Sequence, residues 1–182
     1  ICSREIDYSQ FAMIYAGAQK NMGPAGTTLV IVKDEILGKT RRSIPTMLDY
    51  NTHISKGSMF NTPPVFPVYV SMLTLQWLKN NGGINWIESI NQQKADLLYD
   101  EIDSNPLFEG TANKEDRSNM NVTFLLTDNS KENKFNKMWE EAGINGLKGH
   151  RSVGGYRASM YNALPLESVQ VLVDVMRKLA KN

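Results

Sequence analysis

The run Asn80-Asn81-Gly82-Gly83 most constrains how this chain can fold, because it interrupts any helix or strand that reaches it. It divides 182 residues, enough for one good core or two small ones, into two parts of different character. The part before it offers two strands and one helix, and the part after it alternates helices and strands. We therefore predict an α/β protein with two domains, at residues 1–81 and 82–182.

The first part is dominated by apolar runs that predict strands. Phe11–Ala16 and the β-branched run Thr27–Val32 have little polar alternation, which is typical of strands covered on both faces. A long polar connection, Gly38–Thr62, precedes a helix predicted over about Pro67–Asn80. Two strands and one helix are too little for a self-sufficient core. We therefore expect these residues to complete a larger sheet domain.

The second part has the pattern of a compact α/β unit. Its first predicted helix places apolar residues on one face with a period near 3.6, as expected of a helix that packs on a core. The predicted elements are a helix over Ile84–Asp103, a strand over Asn121–Thr127, a helix over Lys131–Ala142 capped by Gly143, a strand over Tyr156–Tyr161 and a last helix that starts at Pro165.

Composition excludes several classes of function. The net charge of +1 gives no general attraction for nucleic acid or an anionic membrane, and no apolar run approaches the roughly 20 residues that cross a bilayer. Cys2 is the only cysteine, which excludes a disulfide framework or a cysteine-based metal cluster and suits the reducing cytoplasm. Because the chain starts with Ile1 and lacks a signal-peptide pattern, we expect it to be cut from a longer polypeptide.

The segment Ala16-Gly17-Ala18-Gln19-Lys20 follows the first predicted strand. A lysine that bonds to a flat aromatic aldehyde has to project from a fixed backbone into a dry pocket, and small preceding residues leave room for the ring. Burial of such an amine lowers its pKa and makes it nucleophilic near neutral pH. Taken alone, however, a lysine after an apolar run is more often a surface residue. Periodicity does not decide between the two interpretations.

Five segments resemble phosphoserine aminotransferases, a branch of the aspartate-aminotransferase fold type, in that family's order and spacing. They are YAGAQKNMGPAG (residues 15–26), GSMFNTPP (57–64), INQQKADLLY (90–99), LKGHR (147–151) and GGYRASMYNALP (154–165). The resemblance implies that residues 1–81 are the C-terminal part of the large domain, whose sheet binds pyridoxal 5′-phosphate (PLP). Residues 82–182 would then be the small C-terminal α/β domain.

The resemblance also implies roles in cofactor binding. Lys20 matches the lysine that bonds to PLP and afterwards moves the proton between the substrate α-carbon and the cofactor, and Gln19 matches a ligand of the cofactor phosphate. Asn61 and Thr62 match a pair that reaches that phosphate from the neighbouring subunit, which implies a homodimer. Without the resemblance, Asn-Thr-Pro-Pro is more simply a turn before the next helix.

Three cationic residues are implied to bind substrate. Arg157 matches the arginine that holds the α-carboxylate, and His150 and Arg151 match the pair that receives the substrate phosphate or the side-chain carboxylate of glutamate. Taken alone, these are ordinary surface cations. The implied reaction is amino transfer from L-glutamate to 3-phosphohydroxypyruvate, giving O-phospho-L-serine and 2-oxoglutarate in serine biosynthesis. A related substrate of vitamin B6 (pyridoxine) synthesis is possible by family analogy.

Two alternatives stay open. The chain could belong to another aminotransferase of the same fold type, which kinetics with and without a phosphate on the keto acid would decide. It could also be an inert structural piece, because the family's aspartate for the pyridine nitrogen and its stacking aromatic residue come from an N-terminal half that is absent here. We therefore expect the 182-residue chain alone to bind cofactor poorly and not to turn over.

Overall fold

A computed structural model describes residues 1–181, which form two compact units divided between Ile84 and Asn85. Their identification as the end of a large domain and a small domain stays a prediction. Among the described residues, none of the helices combines the length and apolar character that crossing a bilayer requires.

The first unit contains a two-stranded antiparallel sheet of β1, Met13–Gly17, and β2, Thr28–Val32. Both strands lie where the apolar runs predict them, but the prediction that they are buried on both faces is wrong for this chain. Half-buried and exposed residues alternate along them, and Tyr15 is 72% exposed. Unbroken apolar runs are typical of strands whose sheet is covered on both faces, and the described residues do not cover both faces of this sheet.

The helices of the first unit are α1, Tyr50–Ile54, and α2, Val65–Asn80. Helix α1 lies within the long polar connection, where the sequence predicts no helix, because five residues are too few to show a 3.6-residue period. The Asp49 carboxylate caps α1 by accepting a hydrogen bond from the Asn51 amide at 3.0 Å. Helix α2 is confirmed and starts two residues earlier than predicted. Pro67 fits its first turn, where an amide hydrogen has no intrahelical partner.

The second unit packs helices on one face of an antiparallel sheet of order β3-β4-β5. Alternate sheet residues are buried, and the aromatic rings of Phe108, Phe124, Phe135 and Tyr156 meet at centroid distances of 5.0–5.8 Å in its core. The elements are α3, Gly83–Ser104; β3, Phe108–Gly110; β4, Asn121–Leu126; α4, Glu132–Glu141; β5, Tyr156–Ser159; and α5, Leu166–Ala180.

The apolar face predicted for the first helix of the second unit is confirmed, since its residues on α3 are buried from Ile87 onward. The apolar stripe of α5, which comprises Val169, Leu172, Val173, Met176 and Leu179, is buried throughout. Gly143 follows α4 with φ +79°, as a residue at a helix C-terminus does. Strand β3 was not predicted, since three residues are too few for a recognisable alternation. The buried residues of α3 also include a lysine, Lys94, and a glutamate, Glu101.

Candidate functional site

The loop that carries Lys20 connects β1 to β2 in the first unit. Its backbone is closed by the Ala18 amide, which donates to the Thr27 carbonyl at 3.0 Å, and by the Met22 amide, which donates to the Ala18 carbonyl at 3.3 Å. Ala18 and Met22 are buried, whereas Lys20 is exposed. Two buried apolar residues, Ala18 and Met22, therefore anchor the loop, and Lys20 points outward. Within this chain, the predicted dry surroundings of the amine are not formed.

Two glycines set the position of this loop against α2. A Cβ on Gly23, whose φ is +147°, would lie 2.8 Å from the Ser71 hydroxyl oxygen. A Cβ on Gly26, whose φ is +118°, would lie 2.7 Å from Cγ of Pro67. Only glycine allows the backbone to approach the helix this closely with these dihedral angles. The lysine therefore projects from a backbone that the helix fixes.

The Gln19 side chain lies over Gly17. A Cβ on Gly17 would be 3.0 Å from the Gln19 Cδ and Nε2 and would collide with Oε1. The amide therefore occupies the space that a larger residue at position 17 would need. Gln19 itself is exposed, so its side chain can also donate to a phosphate at this surface.

Asn61 and Thr62 lie in the segment that leads into α2. Both are exposed, and the Asn61 side-chain amide donates to the Thr62 carbonyl at 3.3 Å. Close by, Met59 and Phe60 are 61% and 43% exposed. An amide, a hydroxyl and two apolar side chains thus face outward together.

In the second unit, His150 and Arg151 occupy a loop that its glycines close. The Gly149 amide donates to the Gly155 carbonyl at 2.8 Å, and the Gly154 amide donates to the His150 carbonyl at 2.8 Å. A Cβ on Gly155, whose φ is +64°, would lie 2.8 Å from the Phe124 carbonyl oxygen of β4. The loop is therefore seated directly on the sheet, with Arg151 exposed.

The imidazole of His150 is oriented by Ser152. Its Nδ1 accepts from the Ser152 amide at 3.3 Å and lies 2.8 Å from the Ser152 hydroxyl oxygen. Because Nδ1 is used as an acceptor, Nε2 is the nitrogen that carries the hydrogen and can donate to an anion. Sequence reasoning missed Ser152, whose role depends on how the loop closes.

Arg157 lies on β5, the strand that the same loop enters. Its amide donates to the Leu147 carbonyl at 2.7 Å, and it pairs with Thr123 across the sheet. Its side chain is exposed, on the face of β5 opposite the core, and the residue borders a cavity of about 310 Å³ between the end of α4, β5 and the start of α5. An exposed guanidinium on a strand can bind the carboxylate of a small molecule bidentately.

The predicted site residues thus fall into two groups. Gln19, Lys20, Asn61 and Thr62 belong to the first unit, and His150, Arg151 and Arg157 belong to the second. Within the second unit, the structure brings its three cations onto one strand and its entry loop.

Comparison with known proteins identifies the class. The family model for class-V aminotransferases matches residues 1–172, and the chain belongs to this family. It is 73% identical, over 179 residues, to the phosphoserine aminotransferase of Flavobacterium psychrophilum, an alignment that covers 98% of this chain and 50% of that protein. The predicted resemblance is therefore confirmed. The chain spans about half the length of the curated relatives that it matches.

The solved structures that this chain resembles are phosphoserine aminotransferases as well. The phosphoserine aminotransferase of Bacillus circulans subsp. alkalophilus superposes with a TM-score of 0.93 at 44% identity and covers all of this chain, which corresponds to 50% of that one. The PLP-bound phosphoserine aminotransferase of Trichomonas vaginalis gives a TM-score of 0.89 at 36% identity, covering 97% of this chain and 51% of that one. The predicted fold class is confirmed.

Proposed function

We propose that this chain carries the cofactor lysine and the substrate cations of a phosphoserine aminotransferase. The enzyme transfers the amino group of L-glutamate to 3-phosphohydroxypyruvate and gives O-phospho-L-serine and 2-oxoglutarate, in cytoplasmic serine biosynthesis. A related keto acid of pyridoxine synthesis is a further substrate. The observation that carries the proposal is that Lys20, in a chain of the class-V family, projects from a loop whose two glycines pack on α2.

The residues of the first unit fit PLP. Gly17 and Ala18 leave the surface beside Lys20 without bulky side chains, as a flat ring requires. The amides of Gln19 and Asn61 and the hydroxyl of Thr62 donate hydrogen bonds without adding charge or bulk, which suits a phosphate. When bound, PLP supplies an aldehyde for the lysine and a ring that delocalises the electron pair left on the substrate α-carbon.

The proposal includes a homodimer. Lys20 is exposed in this chain, and an amine of this kind works in surroundings that exclude water. The exposed Met59 and Phe60 beside Asn61 and Thr62 support a surface that association buries. Asn61 and Thr62 would then donate to the phosphate at the partner subunit's lysine.

In the reaction, each side chain of this chain has a defined task. Arg157 binds the α-carboxylate and thereby holds the α-carbon–hydrogen bond in the orientation that loss of its proton requires. His150, through Nε2–H, and Arg151 bind the distal anion, which is a phosphate in one half-reaction and a carboxylate in the other. Lys20 Nζ would accept the proton from the substrate α-carbon and hold it for its return to the cofactor.

Borohydride trapping in the full-length protein tests the proposal. After incubation with PLP and reduction, peptide mapping is expected to find the pyridoxyl group on the peptide that contains Lys20. Lys20→Arg should abolish this label and lower kcat by about a thousandfold. Lys33→Arg is the matched control, because Lys33 lies after the next strand and only donates to the Ser9 carbonyl at 2.8 Å. A label that persists in Lys20→Arg would refute the assignment.

A further inference from the structure

Lys94 is a fully buried cation that the proposed reaction does not use. It lies on α3 with 0% exposure, and its Nζ donates to the carbonyls of Met160 at 3.1 Å, Tyr161 at 3.0 Å and Leu164 at 3.1 Å. An ammonium has three hydrogens, so three carbonyls satisfy it completely. Burying a charge is costly unless its hydrogen bonds are made, and here they all end on one five-residue segment.

That segment, Met160–Leu164, is the turn between β5 and α5. Asn91 lies three residues before Lys94 on the same side of α3 and donates to the Asn162 side-chain oxygen at 2.9 Å. Burial lowers the pKa of Lys94 to about 8, so near neutral pH the amine keeps all three hydrogens. One helix face therefore holds the turn through both its backbone carbonyls and a side chain.

The turn is directly connected to Arg157. It starts one residue after β5 ends, and Met160 and Leu164 line the same 310 Å³ cavity as Arg157. Displacement of the turn would therefore alter both the strand that carries the guanidinium and the cavity wall that Arg157 shares with Met160 and Leu164.

We propose that Lys94 is a positioning residue for substrate binding: through the three carbonyls of the turn Met160–Leu164 it fixes the end of β5, and so the place of Arg157. This inference rests on the proposed function, in which Arg157 binds the carboxylate of an amino acid or keto acid. A residue that acted on stability alone would leave substrate affinity unchanged in the molecules that remain folded.

Steady-state kinetics of the full-length enzyme test the inference. Lys94→Met removes the ammonium while filling most of its volume. We expect the KM for glutamate to rise about tenfold with kcat within about threefold of the parent, because a misplaced Arg157 weakens binding in ground and transition states alike. The control is Lys134→Met on an exposed face of α4, which should change neither constant. An unchanged KM with only a lowered Tm would overturn the proposal.

A milder variant decides the matter if Lys94→Met does not fold. Asn162→Ala removes the side-chain tether to Asn91 and leaves Lys94 in place, and it should raise the KM for glutamate about threefold. An unchanged KM in that case would overturn the proposal. Arg157→Ala separates the two hypotheses: if it leaves KM unchanged, the proposed role of Arg157 fails. If it raises KM while the variants at positions 94 and 162 do not, only the positioning role fails.

Discussion

The two units contain similar residues but use them differently. Within residues 1–84, the buried apolar side chains are Ala18, Met22 and Leu78, while Phe66 and Tyr69 on α2 are 70% and 55% exposed. The second unit buries the apolar stripes of its helices against one sheet face. A helix pattern therefore predicts that a face will be covered, but not whether the same chain covers it.

The difference extends to how each unit holds its functional side chains. The first unit has no large core among its described residues, and it fixes the Lys20 loop by bringing Gly23 and Gly26 against α2. The second unit seats the His150 loop on a sheet whose other face is the core. Stability in the second unit should therefore depend on packed volume, and in the first on backbone contacts.

Matched phenylalanine truncations should give the largest effect. Phe135→Ala empties a fully buried position in contact with the rings of Phe108 and Tyr156, and it should lower the free energy of unfolding by about 3–5 kcal/mol. Phe66→Ala removes a ring that is 70% exposed and should change it by less than about 0.5 kcal/mol. Guanidinium unfolding of the 182-residue chain, followed by tryptophan fluorescence, measures both. Equal losses of unfolding free energy in the two variants would show that the two units do not differ in how much they depend on packed volume.

Glycine substitutions sharpen the comparison at the loops. Gly155→Ala and Gly57→Ala both place a Cβ on a left-handed residue, with φ +64° and +57°. At Gly155 the new atom also meets the Phe124 carbonyl at 2.8 Å, whereas at Gly57 it meets nothing within 4 Å. We expect losses of about 2–3 kcal/mol for Gly155→Ala and about 1 kcal/mol for Gly57→Ala.

Thermal unfolding of the two alanine variants provides the measurement. The Gly155 variant should also lose affinity for phosphate-bearing substrate in the full-length enzyme, because the loop of His150 is seated there. Equal Tm shifts for the two variants would mean that close packing on the sheet contributes little beyond backbone strain.

Most of the fold could be predicted because helices of ten or more residues repeat their apolar positions several times. The stripe of α5 is an example. The strands of the first unit were placed correctly, but their burial was not, since burial depends on layers that a local pattern does not encode. Short elements such as α1 and β3 offer too few residues for a period to appear.

The candidate site was less accessible to sequence reasoning from first principles. Lys20 and Arg157 have no local pattern that separates them from surface cations, so resemblance had to single them out. Lys94 acts through partners that only tertiary structure brings together, since the carbonyls around it are 66 to 70 residues away in sequence. Ser152 orients His150 from two residues away, through the way in which the loop closes. The available signal for Lys94 is its helical spacing from the apolar residues Ile87 and Leu98.

The smallest effect should come from the acidic residues that interact at the surface. Arg117 donates two hydrogen bonds to the Asp103 carboxylate, at 2.8 Å from Nη1 and 2.6 Å from Nη2, and these bonds lower the pKa of Asp103 to about 2. Asp103 is about one-third exposed, so Asp103→Asn should cost about 1 kcal/mol at neutral pH. In the first unit, Asp7 has a lowered pKa from the hydroxyl of Ser9 and the amide of Gln10, and it contacts no cation there.

The pH dependence distinguishes the two carboxylates. Because the pKa of Asp103 is lower in the folded than in the unfolded chain, its stabilisation is complete above the ordinary value of 3.8 and is lost as pH falls through about 2. Urea unfolding at pH 7 and near pH 2 should therefore show the parent and Asp103→Asn converging at the lower pH. Asp7→Asn should produce the smaller change at pH 7. If 0.5 M salt removed none of the Asp103 effect, the Arg117 ion pair would not be its source, since charge interactions at a surface are screened.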